Sequence, residues 1–516
     1  MSHWIIAPVI LPALLAAVTM LAFRHHILLQ RVFSTAGTVL LLAIALGLAV
    51  SAAGGTVTVY DLGNWPAPFG IVLVLDRLSA LMVLLTAALA LGVQLYAIGS
   101  GWDERGKHFH ALFQFQLMGV CGAFLTGDAF NLFVFFEVLL IASYGLMIHG
   151  GGPRRLRAGT QYVVYNLLGS TLFLFALGTI YAVTGTLNMA DLAVKVGELP
   201  ADDTALIRVG AVLLLLVFAV KAALLPLHFW LPESYANAPA PVAALFAIMT
   251  KVGAYAILRM YTLVFGPEAG IVAGSFDAWL MPAALLTVAV GMIGILGARD
   301  LGRLTAYAAI GSMGTLLVAV ALFAPGATTA ALYYMIHSTF ATAALFLVAD
   351  MVMERRGADG VEIRAAQPIP QNGLIASIFF ISAIAMAGMP PLSGFIGKLL
   401  VLDAARDVPG ATTIWAVILV TSLIAIVGLA RAGSTVFWKG YGIVTDETDT
   451  APAAPTRGGG LAFVAAFGLL APLVGMTLAA GPVTAYLDAT AAQLYAPDAY
   501  LDAVLSGTPV KAEEAQ

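Results

Sequence analysis

Residues 211–230, AVLLLLVFAVKAALLPLHFW, place a lysine and a proline inside a run of apolar side chains that is as long as a membrane span. About 20 apolar residues in a helix cross the roughly 30 Å of hydrocarbon in a bilayer. Because a charge at that depth costs a few kcal/mol or more, we expect Lys221 to face the interior of a helix bundle or a hydrated cavity. Pro226 removes a backbone donor and clashes with the preceding turn, which predicts a broken helix.

Three more ionisable side chains lie in strongly apolar segments. They are Glu137 in NLFVFFEVLLIASYGLM, Lys251 in VAALFAIMTKVGAYAIL, and Lys398 in FIGKLLVL. Carboxyl and ammonium groups at membrane depth on several helices predict a protein that moves protons or other ions. Packing alone does not need buried charges, which argues against a subunit that only holds an assembly together.

The composition is that of a polytopic helical membrane protein. Hydrophobic residues make up 61% of the 516 residues and charged residues 10%, which is too little charge to cover a soluble surface. The net charge of −4, without a basic patch, gives no sign of nucleic-acid binding. The single cysteine, Cys121, excludes an intrachain disulfide and iron–sulfur clusters held by several cysteines. No spacing of histidine, cysteine, aspartate or glutamate predicts a metal site, and no cofactor is expected.

Fourteen apolar blocks predict fourteen membrane spans and an all-α polytopic fold. The blocks cover residues 3–23, 32–53, 71–99, 108–126, 129–149, 158–184, 209–227, 239–265, 277–297, 304–323, 327–353, 371–405, 411–437 and 459–481. The first block lacks a basic n-region and a clear cleavage site, so we expect it to be a membrane helix and not a cleaved signal peptide.

Lysine and arginine positions predict the orientation in the cell (inner) membrane. With both termini outside, fourteen of the 24 lysines and arginines fall in inside gaps and four fall in outside gaps or the tail. This asymmetry is what the positive-inside rule requires. Residues 441–458 are expected to form a flexible inside loop, and the tail from Gly481 an outside peripheral helix with a frayed end.

Helix breakers accompany two of the lysines. Pro226 and further prolines follow Lys221, and the stretch GMPPLSG precedes Lys398. The two breaks fall on spans seven and twelve, which predicts two five-helix units that are inverted across the membrane because five is odd. The predicted organisation is residues 1–107 (helices one to three), 108–265 (first unit), 266–440 (second unit) and 441–516 (loop, last helix and tail). Proline kinks are also ordinary in membrane helices, so either break alone is a weak signal.

The ionisable side chains suggest a relay. Glu137 has no basic neighbour in sequence and needs a proton or a partner from another helix, for which Lys221 is the natural choice. Lys251 lies on the next span and is expected to exchange protons or, alternatively, to act as a fixed counter-ion. His337, in ALYYMIHSTFATAALFLVAD, suits a relay between lysines or a hydrogen bond across helices. Lys398 is expected to be the terminal group near one exit.

Other ionisable residues have less specific expectations. His228 follows Lys221 by two helical turns and would serve proton entry or lie at the interface. Interface anchoring or local pairing is expected of the charged residues near span ends, which are Asp76, Arg77, Asp128, Arg259 and Arg431. A position at or near the surface is expected of His25, His26, His108, His110 and His149.

These residues in this order resemble the proton-translocating antiporter-like family shared by respiratory complex I and Mrp-type cation/proton antiporters. The resemblance covers nearly the whole chain. Its specific stretches are GDAFNLFVFFEVLLIASYGL (127–146), FAVKAALLPLHFWLPESYANAPAPVAALFAIMTKVGAYAILR (218–259) and AGMPPLSGFIGKLLVLDAA (387–405). Within that family the sequence is most similar to the D subunits of multisubunit Mrp-type Na⁺/H⁺ or K⁺/H⁺ antiporters.

The resemblance implies fourteen helices with two inverted five-helix units. It also implies a proton relay of Glu137 on the fifth helix, Lys221 on the broken seventh, Lys251 on the eighth, His337 on the eleventh and Lys398 on the twelfth. The partners it implies are the other subunits of a multisubunit antiporter, protons, Na⁺ or K⁺, and the lipid bilayer.

One position departs from the family pattern. Some relatives carry a second basic residue about one turn beyond the histidine, and this chain has Thr342 there. His337 would then carry that step with water, and Thr342 is an accessory candidate.

Two functions fit the sequence. The first is a subunit of a secondary antiporter, which is a transporter and not an enzyme. The alternative is a proton-pumping membrane subunit of complex I or of a membrane-bound hydrogenase, because such a subunit would carry no redox-centre motif of its own either.

Overall fold

The computed structural model describes residues 2–65, 69–200, 204–266, 277–442 and 459–506. The first half contains α1 (Ala7–Leu21), α2 (Ile27–Ala52), β1 (Thr58–Asp61), β2 (Val72–Leu75), α3 (Arg77–Gly99), α4 (Phe109–Leu125), α5 (Ala129–Met147), α6 (Pro153–Thr184), α7 (Met189–Gly197), α8 (Ala205–Lys221), α9 (Trp230–Asn237), α10 (Ala240–Leu245) and α11 (Met249–Leu263). The second half contains α12 (Asp277–Gly297), α13 (Leu301–Val320), α14 (Pro325–Arg356), α15 (Asn372–Ala387), α16 (Ser393–Ala404), α17 (Ala411–Gly433), α18 (Gly460–Leu478), α19 (Ala480–Leu494) and α20 (Asp498–Leu505).

The helices have the length and composition of membrane spans. Within the described ranges, ten helical segments are long and apolar enough to cross a bilayer, with α10 and α11 taken together as one of them. The helices α1, α4 and α15 are shorter and also apolar. The prediction of a helical multi-pass membrane protein is therefore confirmed.

A small β-hairpin precedes α3, and the sequence did not predict it. β1 pairs antiparallel with β2, with Val59 opposite Val74. The expected helix start near residue 71 is wrong, because the helix begins only after Asp76. The Asp76 carboxylate accepts a hydrogen bond from the backbone N–H of Ser79 (2.8 Å), which caps α3 at that point.

Two other span starts also differ from the prediction. α2 begins at Ile27, five residues before the expected start, and α6 begins at Pro153 instead of residue 158. The first turn of α6 contains arginines, so the predicted span, which was based on apolar residues, began after them. Proline at the first position of a helix loses no hydrogen bond, so it starts α6 without cost.

Both predicted helix breaks are present. α8 ends at Lys221 and α9 starts at Trp230, and α15 ends at Ala387 while α16 starts at Ser393. A third break, which was not predicted from the sequence, separates α10 from α11 at residues 246–248. The Tyr235 hydroxyl donates to the Phe246 carbonyl oxygen (3.0 Å), so a side chain from α9 takes a carbonyl at this turn.

The most buried helices lie at the centre of the bundle. The α10–α11 segment is buried along its whole apolar window, and α13 and α14 are buried along most of theirs. In contrast, α2 and α17 are buried for only a third of theirs. The central helices therefore carry side chains that lie away from lipid, and these are the helices that position Lys251 and His337.

The C-terminal segment contains two helices, α19 and α20, where one peripheral helix was predicted. α19 follows α18 directly and packs along α3 and α14. The Tyr486 hydroxyl donates to the Arg77 carbonyl oxygen (3.2 Å), and the Gln493 side-chain oxygen accepts from the Arg77 backbone N–H (3.1 Å). These contacts hold α19 against the first turn of α3. The expected loop at 441–458 lies outside the described residues except for its first two positions.

Candidate proton relay

Glu137 of α5 and Lys221 of α8, two helices that both pack against α6, are close enough to interact electrostatically. They do not form a direct ion pair. The Lys221 ammonium group donates instead to the Asn166 side-chain oxygen on α6 (2.9 Å). One carboxylate oxygen of Glu137 has no hydrogen-bond partner among the described residues. Lys221 is therefore held by a neutral group beside a carboxylate that it does not touch.

The end of α8 favours the Lys221 charge. Lys221 is the last residue of the helix, where the exposed carbonyl groups form the negative end of the helix dipole. The ammonium nitrogen also lies 5.8 Å from the centre of the Phe136 ring, on the helix that carries Glu137. The break after Lys221 thus places a cation where the backbone stabilises it.

Lys251 lies on a helix that packs tightly against this end of α8. A Cβ atom at Gly253 of α11 would come within 2.7 Å of the Ala222 backbone nitrogen and 2.9 Å of the Phe218 carbonyl oxygen. Only glycine permits this approach, two residues from Lys251. The Lys251 ammonium group is fully buried and has no hydrogen-bond partner among the described residues. Such a group is free to bond transient water.

His337 lies on α14 and interacts electrostatically with both Lys251 and Lys398. Its Nδ1 atom is 2.9 Å from the Ser393 hydroxyl at the start of α16. The buried ring also lies beside the Ala385 carbonyl oxygen, to which it can donate a hydrogen bond. The histidine is therefore within electrostatic reach of both lysines and is held by a hydroxyl and a backbone carbonyl.

Lys398 binds a backbone carbonyl oxygen that the second helix break leaves without a partner in its own helix. Its ammonium group donates to the Ala387 carbonyl oxygen (2.8 Å), at the last residue of α15, and to the Ser422 hydroxyl on α17 (2.8 Å). The last carbonyls of a helix have no partner within it, so Lys398 satisfies one of them. Gly388 has a positive φ of 77°, and a Cβ atom there would lie 2.6 Å from Cδ of Lys398.

The two accessory candidates are buried. Thr342 is fully buried, and its hydroxyl has no hydrogen-bond partner among the described residues. His228 lies in the break between α8 and α9 and is 7% exposed. It does not share a helix face with Lys221, because α8 ends at the lysine.

Sequence reasoning missed the neutral partners and misplaced two histidines. Asn166 and Ser422 are polar residues in apolar spans. This pattern could have identified them, but the predictions considered only ionisable residues. His110 and His149 were expected at or near the surface, and this is wrong. His110 lies 3.1 Å from the Asp103 carboxylate, and His149 lies 2.8 Å from the Trp102 carbonyl oxygen. The loop after α3 covers both rings.

Gly394→Ala should disturb the junction of α15, α16 and His337. A Cβ atom at Gly394 would lie 2.9 Å from Cε1 and Nε2 of His337 and would also collide with the Ala385 carbonyl oxygen. Overpacking of this kind costs about 1–3 kcal/mol, which thermal unfolding in detergent would measure. Gly178→Ala on α6 is the matched control, because a Cβ there meets nothing within 4 Å. Equal melting temperatures for the two variants would contradict the expectation.

The segment that carries these residues matches a known protein family. Residues 126–425 match the model of the family described as NADH:quinone oxidoreductase/Mrp antiporter, TM. The chain belongs to this family.

Several relatives are named as antiporter subunits. The chain is 40% identical to the D subunit of a probable K(+)/H(+) antiporter of Rhizobium meliloti (strain 1021), over 98% of each protein. It is 39% identical to the D subunit of the Na(+)/H(+) antiporter of Bacillus subtilis (strain 168), over 98% of this chain and 100% of that protein. A chain in the structure of the Mrp complex from Dietzia sp. DQ12-45-1b matches with a TM-score of 0.87 and 29% identity, over 98% of this chain and 100% of that one. The resemblance inferred from the three sequence stretches is confirmed.

Proposed function

We propose that this chain is the proton-translocating membrane subunit of a multisubunit Na⁺/H⁺ or K⁺/H⁺ antiporter. The observation that carries the proposal is the burial of four ionisable side chains at the breaks and the centre of the bundle, which packing does not require. They are Lys221, Lys251, His337 and Lys398. The relatives named as antiporter subunits support antiport over redox-driven pumping, since they cover nearly the whole chain at 39–40% identity.

The proposed path uses the five relay residues in order. Protons enter from one side, pass along Glu137, Lys221, Lys251, His337 and Lys398 through transient water, and leave at the other side. Protonation of one member of a coupled set changes the charge that its neighbour experiences, so a proton arriving at one group favours release from the next. Cation movement is coupled to this transfer, within this subunit or in a neighbouring one.

The contacts of Lys221 suggest how one step occurs. While it donates to Asn166, its charge and that of Glu137 are separated, and water between them is free to carry a proton. A direct contact between the two would stabilise both charges and hold the proton on the lysine. Alternation between these arrangements makes transfer stepwise.

The finer architecture belongs to the same proposal. The chain crosses the cell membrane fourteen times with both termini outside, and residues 108–265 and 266–440 form two inverted five-helix units. The equivalent positions of the two breaks, each beside a buried lysine, support the repeat. The other subunits of the antiporter, lipid, protons and Na⁺ or K⁺ are its partners.

The test is an antiport assay in everted membrane vesicles that contain the complete multisubunit complex. Dissipation of ΔpH on addition of Na⁺, Li⁺ or K⁺ would identify the cation, and vesicles without the sister subunits would show whether this chain acts alone. The proposal predicts cation-dependent ΔpH dissipation in the complete complex. A complex that assembles fully and responds to none of the three cations would contradict it.

A further inference from the structure

A cavity of about 400 Å³, lined by both polar and apolar side chains, lies at the end of the bundle where α6, α10 and α13 begin and where α9 and α14 end. Its walls include Trp102, Arg155, Tyr235, Asn237, Phe346 and Asp350. A water molecule needs only about 15 Å³ of such space, so the cavity is wide enough for water. Two of its lining residues, Gly152 and Arg154, are exposed, so the cavity opens to the surface of the bundle. The cavity is therefore a candidate entry for protons, and none of the five relay residues lines it.

Asp350 is the carboxyl group in this wall, and neutral donors hold it. The Trp102 indole N–H lies 3.0 and 2.9 Å from its two oxygens, and the Tyr96 hydroxyl donates to one of them (2.8 Å). No lysine or arginine of the described residues lies within ion-pairing distance of it, since Arg105 pairs with Glu354 (2.7 Å). Asp350 is 2% exposed. It can therefore gain or lose a proton without breaking an ion pair.

Charged and titratable groups face Asp350 from three other parts of the chain. They are Tyr96 of α3, Arg105 of the following loop, Arg155 of α6, and Glu354 and Arg355 of its own helix. Arg105 and Arg155 lie over the Trp102 ring, at 4.0 and 5.2 Å from its centre, and neither forms an ion pair with Asp350. Asp350 thus has positive groups nearby and none in contact.

Helix α14 connects this carboxyl group to the relay. Thr342, Phe346 and Asp350 are spaced four residues apart and share one face of the helix, and His337 lies little more than one turn before Thr342. Phe346 lines the cavity and contacts the Tyr235 ring, with 6.2 Å between ring centres. One turn before Phe346 on this face, the buried Thr342 hydroxyl has no hydrogen-bond partner among the described residues.

We propose that Asp350 is the proton-loading carboxyl group of this cavity, and that Phe346 separates the cavity from Thr342 and His337. A proton from cavity water binds an Asp350 oxygen, and the same O–H bond breaks when the proton moves on to water beyond Phe346. The inference rests on the proposed function and specifies where protons enter. In this role Thr342 orients transferring water, which accounts for a hydroxyl at a position without a base.

The alternative is that Asp350 only anchors Trp102 and Tyr96. Asp350→Asn distinguishes the two, because the amide oxygen still accepts from these donors while the side chain no longer titrates. In everted vesicles with the complete complex, we expect D350N to lower ΔpH-driven antiport by about tenfold or more at normal assembly, and D350E to retain most of it. Glu362→Gln is the matched control, because Glu362 is exposed and its surface pair with Arg364 (3.3 Å) is worth little, so activity should change by less than about twofold. D350N with the activity of E362Q would overturn the proposal.

A second readout covers the case in which D350N does not assemble. D350E keeps a titrating group but moves it by one methylene, so the pH dependence of antiport should shift relative to the wild type. An unshifted profile would overturn the loading role. Lys221→Ala in parallel separates this inference from the proposed function. An inactive K221A with a fully active D350N removes only Asp350, whereas full activity in both removes the relay as well.

Discussion

Glu137→Gln and Lys221→Met should each reduce ΔpH-driven antiport by about a hundredfold or more, while the complex still assembles. Glutamine keeps the shape of Glu137 and methionine keeps most of the length of Lys221, so packing around α5, α6 and α8 changes little. What each variant loses is a group that binds and releases a proton. Alanine at either position should abolish antiport in the same way.

The measurement is cation-induced ΔpH dissipation in everted vesicles, normalised to the amount of assembled complex. Lys195→Met is the matched control, because Lys195 lies on the short helix α7 and is partly exposed, paired with Asp191 at 3.1 Å. Removal of such a surface pair costs about 0–1 kcal/mol and should leave antiport unchanged. Wild-type activity in both E137Q and K221M would remove the two residues from the pathway.

Asn166→Ala should have an intermediate effect on the same assay. It removes the oxygen that accepts from the Lys221 ammonium group but no titrating group. Lys221 would then depend on Glu137 and water alone, which changes the balance between its two arrangements. A pH profile that shifts, without the loss expected of K221M, would identify Asn166 as a positioning residue.

Arg259→Met should destabilise the protein by about 3–5 kcal/mol, the largest stability effect that we expect from one substitution. Arg259 on α11 donates to both carboxylate oxygens of Asp76, at 2.6 and 2.9 Å, and both residues are almost fully buried. Removal of the arginine leaves a buried carboxylate without its counter-ion. Because Asp76 also caps α3, the hairpin and the first turn of α3 should loosen together.

The pH dependence of this effect follows from Asp76. Burial alone would raise the pKa of its carboxyl group, but Arg259 and the hydrogen bonds from Ser79 together outweigh burial, and the pKa lies below its usual value. The stabilisation is therefore fully present above the unfolded pKa of about 3.9 and is lost as the pH falls through the lower folded value. The difference in melting temperature between wild type and R259M, measured in detergent, should be constant at neutral and alkaline pH and should shrink in acid.

Two further variants test the pairing itself. The double variant Asp76→Asn with Arg259→Met should recover part of the stability, since no buried charge remains. Arg364→Met is the surface control, because Arg364 is half exposed and its pairs with Asp359 and Glu362 are worth about 0–1 kcal/mol. A small and equal loss for R259M and R364M would show that the buried pair contributes little.

Much of the fold was visible in the sequence because a bilayer penalises polar groups strongly. Long apolar blocks predicted the helices, and the prolines and glycines near Lys221 and Lys398 predicted two breaks, which the structure contains. The third break, at 246–248, has no helix breaker in its sequence. It depends on a hydrogen bond from Tyr235 on another helix, which local sequence does not encode.

Local sequence patterns could not predict which residues the buried charged and histidine side chains would contact. Asp76 and Arg259 were expected to anchor or pair, but 183 positions separate them along the chain, and only the tertiary fold brings the residue before α3 next to α11. The burial of His110 and His149 likewise depends on how the loop after α3 folds over α4. Such contacts are long-range, so no window of sequence contains both partners.

The position of ionisable groups within apolar helices was predictable from the sequence, because a charge in hydrocarbon is costly and therefore conspicuous. The two breaks beside lysines were predictable as well, because proline and glycine act on their own backbone. The contacts of each charge depend on the folded bundle: Lys221 bonds to Asn166 and not to Glu137, and Lys398 bonds to a carbonyl oxygen at the end of α15. Hydrogen bonds act over about 3 Å, and only packed helices bring residues so distant in sequence within that range.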